Sequence, residues 1–459
     1  MKKIFKNTAK FDENAVNLGI KEPILQENAA VGVANLIRQK IPLGSKILFI
    51  CGGGNNGADG FACARMLQGD YKCEMFLNKK ISSNLAQTQL DIARRIGVKT
   101  IARLDFSEVS CVVDAIFGSG LSRNLDTMTI DILKEANKFE GLKISVDMPS
   151  GLDLDGNLRP ICFKADYTVA MGALKLALFS DLAKDFVGEI VIADLGLSHG
   201  LFANKTEDFV LEFSDLELPK RDLQNVSKGD FGHAFVAVGE MSGAAQMTAI
   251  AALNMGAGRV SVVGESFPDL DMQIMLKSNF EGAEVVAFGM GLGNKQIPFS
   301  DLYDKKAVVD ADMFYKQEVL EFARNPNSIL TPHPKEFANL MKIAHLDPNL
   351  DADLVQQNRF ELARKFTENF PCVLVLKGSN TIIAQNGVLY INPLGSNKLS
   401  VGGSGDVLSG VILAYLAQGF EPLSAAINGV LAHSKTAVNY HENAYSFTPE
   451  DIIKGLKCL

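Results

Sequence analysis

The sequence predicts an α/β protein of two domains, each built on a mostly parallel sheet covered by helices. Three observations predict it. At 459 residues the chain exceeds what one hydrophobic core usually organises, and an apolar content of 47% can fill two. Runs of β-like residues alternate with helical patterns along most of its length. The alternation fades in a charged segment containing Glu217-Leu218-Pro219-Lys220-Arg221-Asp222 and then restarts, which sets the expected domains at 1–212 and 213–459.

Residues 1–44 carry apolar side chains at helical spacing, among them Leu25, Ala29, Val33, Leu36 and Ile37. A strand at 46–51 runs into Gly-Gly-Gly-Asn-Asn-Gly-Ala-Asp-Gly at 52–60 and then a helix at 61–67. Strand, glycine loop and helix are the first unit of a Rossmann-like, nucleotide-binding sheet. Further strands are expected at 71–77, 111–117, 143–148, 166–171 and 189–194. The second half is expected to hold strands at 233–238, 259–263, 283–288, 307–310, 372–376, 381–384 and 388–391, with a helix at 244–255. Helices from Asp406, Pro422 and Pro449 close the chain.

A net charge of −8 argues against a nucleic-acid partner, which calls for a basic face. The seven cysteines form no C-x-x-C pair and read as reduced core residues of a cytoplasmic protein. Neither a signal-length apolar region nor eighteen uninterrupted apolar residues occurs, so no export and no membrane span are expected. Small molecules are the expected partners, and a homo-oligomer the expected assembly.

Three strand ends in the first half offer matching polar groups: Asn55, Asn56, Gly57, Ala58 and Asp59 in the glycine loop, Asp114 with Gly118, Ser119 and Gly120 farther on, and Asp147 with Ser150. Ligands of open α/β sheets lie at such ends, so the loops should converge. The oxygens of Asn56, Asp114 and Ser150 suit an alkali or alkaline-earth cation, leaving Asp147 free to carry a proton. In the second half, Gly-Gly-Ser-Gly-Asp-Val-Leu-Ser-Gly at 402–410 joins bare backbone, one acid and a helix start, which together read as a phosphate site. A plain glycine turn with Asp406 as N-cap is the structural alternative. His333, between two prolines, reads as a rigid loop residue. Lys377, Gly378, Ser379, Asn380 and Thr381 at a strand end offer nucleotide-phosphate contacts.

The motifs at 402–410, Lys-Gly-Asp-Phe-Gly-His at 228–233, Thr-Pro-His-Pro at 331–334 and Val-Val-Asp-Ala-Asp at 308–312 resemble the NAD(P)H-hydrate dehydratase family, which has a ribokinase-like fold. The first half, through Leu-Gln-Glu-Asn-Ala-Ala at 25–30, the Asn-Asn-Gly loop and residues 146–151, is similar to the NAD(P)H-hydrate epimerase family. The resemblance implies epimerisation of R and S hydrates of NADH and NADPH by the first domain and ADP-dependent dehydration of the S hydrate by the second. It implies hydrate contacts at Asn55, Asn56, Gly57, Ala58, Asp59, Gly118, Ser119, Gly120, Leu121, Ser122, Arg123, Asn124 and Asp147, with potassium on Asn56, Asp114 and Ser150. In the dehydratase it implies hydrate contacts at Ala244, Gly291, His333 and Asp406, nucleotide contacts at Lys377, Gly378, Ser379, Asn380, Thr381 and Gly405, and ADP used with magnesium to give AMP and phosphate. Asp147 and Asp406 are the implied catalytic residues. Ala58 stands where the epimerase pattern has glycine, and a positive φ there would strain the loop. Met290 and Ser119 are further departures. The rival reading is a ribokinase-like small-molecule kinase with a non-catalytic N-terminal binding module.

Overall fold

The computed structural model describes residues 1–202, 205–267 and 269–459. They divide into two compact units, Lys3–Thr206 and Glu207–Leu459, with Met1–Lys2 grouped with the latter.

The N-terminal unit contains, in chain order, β1 (Lys2–Phe5), α1 (Ala9–Asn17), α2 (Glu22–Lys40), β2 (Lys46–Cys51), α3 (Asn55–Leu67), β3 (Lys72–Leu77), α4 (Asn84–Ile96), β4 (Lys99–Ile101), β5 (Val109–Ala115), α5 (Thr127–Asn137), β6 (Leu142–Val146), β7 (Tyr167–Met171), β8 (Leu174–Lys175), β9 (Glu189–Ala193) and α6 (His199–Phe202). Seven of the strands make one parallel sheet in the order β4-β3-β2-β5-β6-β7-β9. The chain starts at β2, winds outward through β3 and β4, and returns to β5 on the other side. That reversal opens a crevice at the carboxyl ends of β2 and β5. Five of the six residues of β2 are buried, as a strand covered on both faces requires. The expected helical region at 1–44 is instead a short strand and two helices, and Gly19, at φ +97°, lies between the helices. Only Gly52, Gly53 and Gly54 form a loop, because α3 already begins at Asn55. Gly57 allows this close start: a Cβ there would meet the Gly52 carbonyl oxygen at 2.0 Å.

The C-terminal unit continues with β10 (Phe209–Val210), β11 (His233–Ala237), α7 (Ser242–Asn254), β12 (Arg259–Val263), β13 (Met275–Lys277), β14 (Val285–Phe288), β15 (Lys306–Val309), α8 (Val319–Arg324), β16 (Ser328–Leu330), α9 (Pro334–Ile343), α10 (Ala352–Gln357), α11 (Arg359–Asn369), β17 (Val373–Leu376), β18 (Thr381–Gln385), β19 (Val388–Asn392), α12 (Ser404–Ala417), α13 (Pro422–Asn439) and α14 (Pro449–Leu456). Its strands run β13-β12-β11-β14-β15-β16-β17-β18-β19-β10, parallel except where β18 pairs with β17 and β19. Asn386 and Gly387, both at positive φ, turn β18 into β19, the two-residue hairpin that Asn-Gly favours. Helix α12 is buried on nearly every side and crosses α7 closely, since a Cβ on Gly410 would lie 2.2 Å from the Thr248 carbonyl oxygen. It starts at Ser404, two residues before the expected start. Gly403 caps it at φ +91°, which leaves Asp406 within the first turn rather than at the N-cap. Six cysteines are buried and Cys458 is exposed. Among the described residues no helix is long and apolar enough to cross a membrane.

Candidate active sites

In the N-terminal unit the ends of β5 and β6 are tied together by Asp114. Its Oδ1 accepts the Ser150 hydroxyl at 2.6 Å and its Oδ2 the Ser150 amide at 2.8 Å, while Ser150 Oγ accepts the Phe117 amide at 2.9 Å. Burial pushes the Asp114 carboxyl up to about 6 in spite of these donors, and none of the groups acting on it is basic. Such an anion fits a cation beside it. Among the described residues no cluster of three or more His, Cys, Asp or Glu could hold a metal, so the candidate ligands are one carboxylate, a hydroxyl and an amide. That set suits a weakly bound alkali ion better than zinc. The third member, Asn56, lies in the first turn of α3 with a buried, unpartnered Nδ2.

Asp147 follows β6 at φ +70°, a backbone region costly for a residue with a side chain. A Cβ on Gly118 would come within 2.6 Å of Asp147 Oδ2 and 3.0 Å of Asn56 Oδ1, so glycine leaves room there for both groups. Asp147 is not free, contrary to the sequence expectation. Lys175 Nζ donates to its Oδ1 at 2.6 Å and the Ser119 amide to its Oδ2 at 2.8 Å. Burial alone would raise this carboxyl, but the Lys175 charge and these donors hold it below the usual range. Lys175 is 0% exposed, and the signal that could have revealed it is a lone lysine inside the apolar run Ala173-Leu174-Lys175-Leu176-Ala177.

Of these groups, Asn56, Gly118, Ser119 and Asp147 line a cavity of about 1130 Å³. Of the expected contacts, Asn55, Asn56, Asp59, Gly118, Ser119, Gly120, Arg123 and Asp147 line it. Gly57, Ala58 and Leu121 are buried outside its lining, and Ser122 and Asn124 are exposed. Ala58 lies inside α3 and is not at positive φ, so the feared strain is absent. The sequence reading missed Asp12 and Gln26, which α1 and α2 bring to the wall, and Lys79 and Lys80 beyond β3.

In the C-terminal unit, Lys377 Nζ donates to Asp310 Oδ1 at 2.7 Å, and Ser409 Oγ donates to Asp310 Oδ2 at 2.9 Å. A Cβ on Gly405 would stand 3.5 Å from Lys377 Nζ and 3.8 Å from Asp310 Oδ2, so bare backbone at the helix start faces this pair. Burial and the charge of Asp310 raise the Asp406 carboxyl to about 6 against the pull of Lys377. The Thr248 hydroxyl lies 3.0 Å from both the Ala244 and the Asp406 carbonyl oxygens, which brings α7 to the start of α12. Gly291, at φ +57°, adjoins Ala244: a Cβ there would be 3.2 Å from the Ala244 Cβ. His333 is not a loop residue. It caps α9, its Nδ1 accepting the Lys335 and Glu336 amides while Glu336 Oε2 accepts the His333 amide at 2.7 Å. Burial lifts the Glu336 carboxyl to about 7, and Lys377 lies 3.9 Å away. The turn of Gly378, Ser379 and Asn380 is fixed by buried Arg359, which donates to the carbonyls of Leu376, Lys377 and Asn380. Thr381 opens β18, its hydroxyl on the Gly378 carbonyl. Asp310 and Ser409 lie in the motifs at 308–312 and 402–410 but, like Glu336 and Arg359, had no role assigned from sequence, because only tertiary folding brings them to Lys377.

Two α/β units, each with acids and glycines gathered at strand ends, define a two-domain enzyme of small-molecule chemistry. The profile described as NAD(P)H-hydrate dehydratase matches residues 234–457, and that described as YjeF-related protein N-terminus matches residues 22–177. The bifunctional NAD(P)H-hydrate repair enzyme of Helicobacter pylori is 38% identical over 480 residues, covering 100% of both chains. That of Dictyoglomus turgidum is 30% identical over 94% of this chain and 93% of its own. A solved ADP/ATP-dependent NAD(P)H-hydrate dehydratase from Bacillus subtilis is 25% identical over 52% of this chain and 92% of its own, with a TM-score of 0.45. The chain belongs to the bifunctional NAD(P)H-hydrate repair enzyme family.

Proposed function

We infer that the protein repairs hydrated NADH and NADPH: the N-terminal unit interconverts the R and S hydrates, and the C-terminal unit dehydrates the S hydrate with ADP, releasing NAD(P)H, AMP and phosphate. The full-length match to repair enzymes carries this reading. In the first unit the hydrate would occupy the cavity beside Asn55, Asn56 and Asp147, with Arg123 available to its phosphates. Asn56, Asp114 and Ser150 would hold potassium, whose charge would keep the buried Asp114 ionised.

In the second unit the hydroxyl of the hydrate is a poor leaving group. Transfer of the terminal phosphoryl group of ADP to it makes elimination easier. Asp406 would take the hydroxyl proton, and the amides at the start of α12, opened by Gly403 and Gly405, would receive the phosphoryl oxygens. Lys377, fixed by Asp310, adds positive charge beside them. Magnesium would arrive with the nucleotide, mostly on phosphate oxygens. Ala244, Gly291 and His333 would hold the ring of the hydrate.

The test starts from pure R hydrate without nucleotide, in potassium and then in lithium. Appearance of S hydrate in potassium, slowed in lithium, is expected. No inversion in either salt would remove the epimerase half of the reading.

A further inference from the structure

Three acids that act on one another line the N-terminal cavity, Asp12 on α1, Asp59 on α3 and Asp147 after β6, and Lys175 on β8 stands behind Asp147. Of these four, Lys175 is the one cation, and it is committed. Lys175 is fully buried and bonded to Asp147 at 2.6 Å, and the Ser119 amide holds the other Asp147 oxygen. Asp59 is held differently. It sits one helical turn beyond Asn55 and so shares that face of α3. It lines the cavity, and among the described residues no hydrogen bond or ion pair fixes its carboxyl. Two neighbouring acids thus have opposite surroundings, one clamped by an ammonium group and one facing the cavity with only like charges near it. A pair arranged in this way separates into an anion and a proton carrier.

Resting on the epimerase reading above, we propose that Asp59 is the general acid of the epimerisation, while Lys175 acts as a positioning residue that holds Asp147 as a fixed anion beside the reacting ring. The epimeric centre of such a hydrate is the ring carbon that bears the hydroxyl next to the ring nitrogen. Asp59 gives its proton to that hydroxyl. The carbon–oxygen bond breaks with its electron pair going to oxygen, water departs, and the nitrogen lone pair closes a nitrogen–carbon double bond. The ring is now a cation, and the Asp147 carboxylate is the anion placed to stabilise it. Water adds to the opposite face, the double-bond pair returns to nitrogen, and the proton shed by that water restores Asp59. Nothing is oxidised, and one water leaves for each that enters.

Burial, followed by the charges of Asp147 and Asp12, raises the Asp59 carboxyl well above its ordinary range, which keeps the proton in place. Asp12 is itself raised, by burial first and then by Asp147 and Glu22 against the pull of Lys175. An acid that must be protonated gives a rate that falls as pH rises through its own value.

The experiment measures R-to-S inversion by the full chain across pH, for the unaltered protein and for Asp59→Asn. The variant is expected to lose roughly a hundredfold or more in kcat, with KM changed by less than about threefold, and to lose the alkaline fall in rate. Lys175→Met should lower kcat but keep that alkaline fall. In water enriched in heavy oxygen, the unaltered protein should place one solvent oxygen in each inverted hydrate, a result independent of whether any variant folds. Retention of the original oxygen overturns the proposal. So does Asp59→Asn with near-normal kcat, or with lowered kcat and an unchanged alkaline fall. If the unaltered protein inverts nothing, the epimerase reading itself falls and takes the proposal with it.

Discussion

Replacing Lys175 with methionine keeps the apolar stem and removes the ammonium group. In the folded protein Asp147 would then keep two amide donors, from Ser119 at 2.8 Å and Met171 at 3.5 Å, and lose its counter-charge. Breaking a buried pair by removing one partner costs about 3–5 kcal/mol. Asp147 has 11% of its side chain exposed toward the cavity, so the lower end, about 3 kcal/mol, applies. At about 1.4 kcal/mol per factor of ten, that is roughly a hundredfold in local opening. Hydrogen exchange at the amides of β6 and β7 reads it directly. The deficit should depend on pH. Asp147 is held below the usual carboxylate range, so its stabilisation is complete above the unfolded value of about 3.9 and is lost only as pH falls through the lower folded value. Without Lys175, burial dominates and lifts the carboxyl. The variant should therefore be weakest at neutral pH and recover on acidification as Asp147 takes up a proton. Less than a threefold loss of protection at neutral pH, or a loss that persists unchanged into acid, would refute this reasoning.

Asp406→Asn should melt normally, since Gly403 rather than Asp406 caps α12, yet lose dehydration of the S hydrate by about a hundredfold or more. A near-normal rate would end its catalytic assignment. Gly410→Ala should destabilise the C-terminal unit by about 1–3 kcal/mol by forcing α12 from the Thr248 carbonyl, seen as earlier denaturant unfolding. Cutting the chain after Thr206 should leave two fragments that each melt cooperatively, because each unit has its own sheet and core. An unfolded C-terminal fragment would contradict this.

Much of the fold was legible because its signals are local. The strand at Arg259–Val263 has the bounds its apolar run predicts, and the hairpin of β18 and β19 turns on an Asn-Gly pair. The short strands β4, β8, β10 and β13 were not read, since two or three residues carry no period and pair only because a neighbour is present. Helix starts were misplaced where glycine, a poor helix former in isolation, stands in the first turn, as at Gly57 and Gly405, and at Gly57 close packing requires it. The strand ends carrying Asp114 and Ser150 could be named from sequence because the strand ends of a parallel sheet must converge on one side. Their partners could not. Lys175 lies 28 positions from Asp147, Ser409 lies 99 from Asp310 and Lys377 lies 67 from Asp310, distances over which no spacing rule operates. The flanking prolines made His333 read as a rigid loop residue, whereas Pro334 occupies the first helical position, where its missing N–H costs nothing.

The central claim is that one chain carries both halves of a repair sequence. A mixture of R and S hydrates, incubated with the full-length protein, ADP, magnesium and potassium, measures it through the absorbance of the restored dihydronicotinamide together with AMP. Complete recovery of both epimers, with one AMP per NADH, is the predicted result. A plateau at the initial S fraction, or accumulation of a stable phosphorylated product with no NADH, would contradict it.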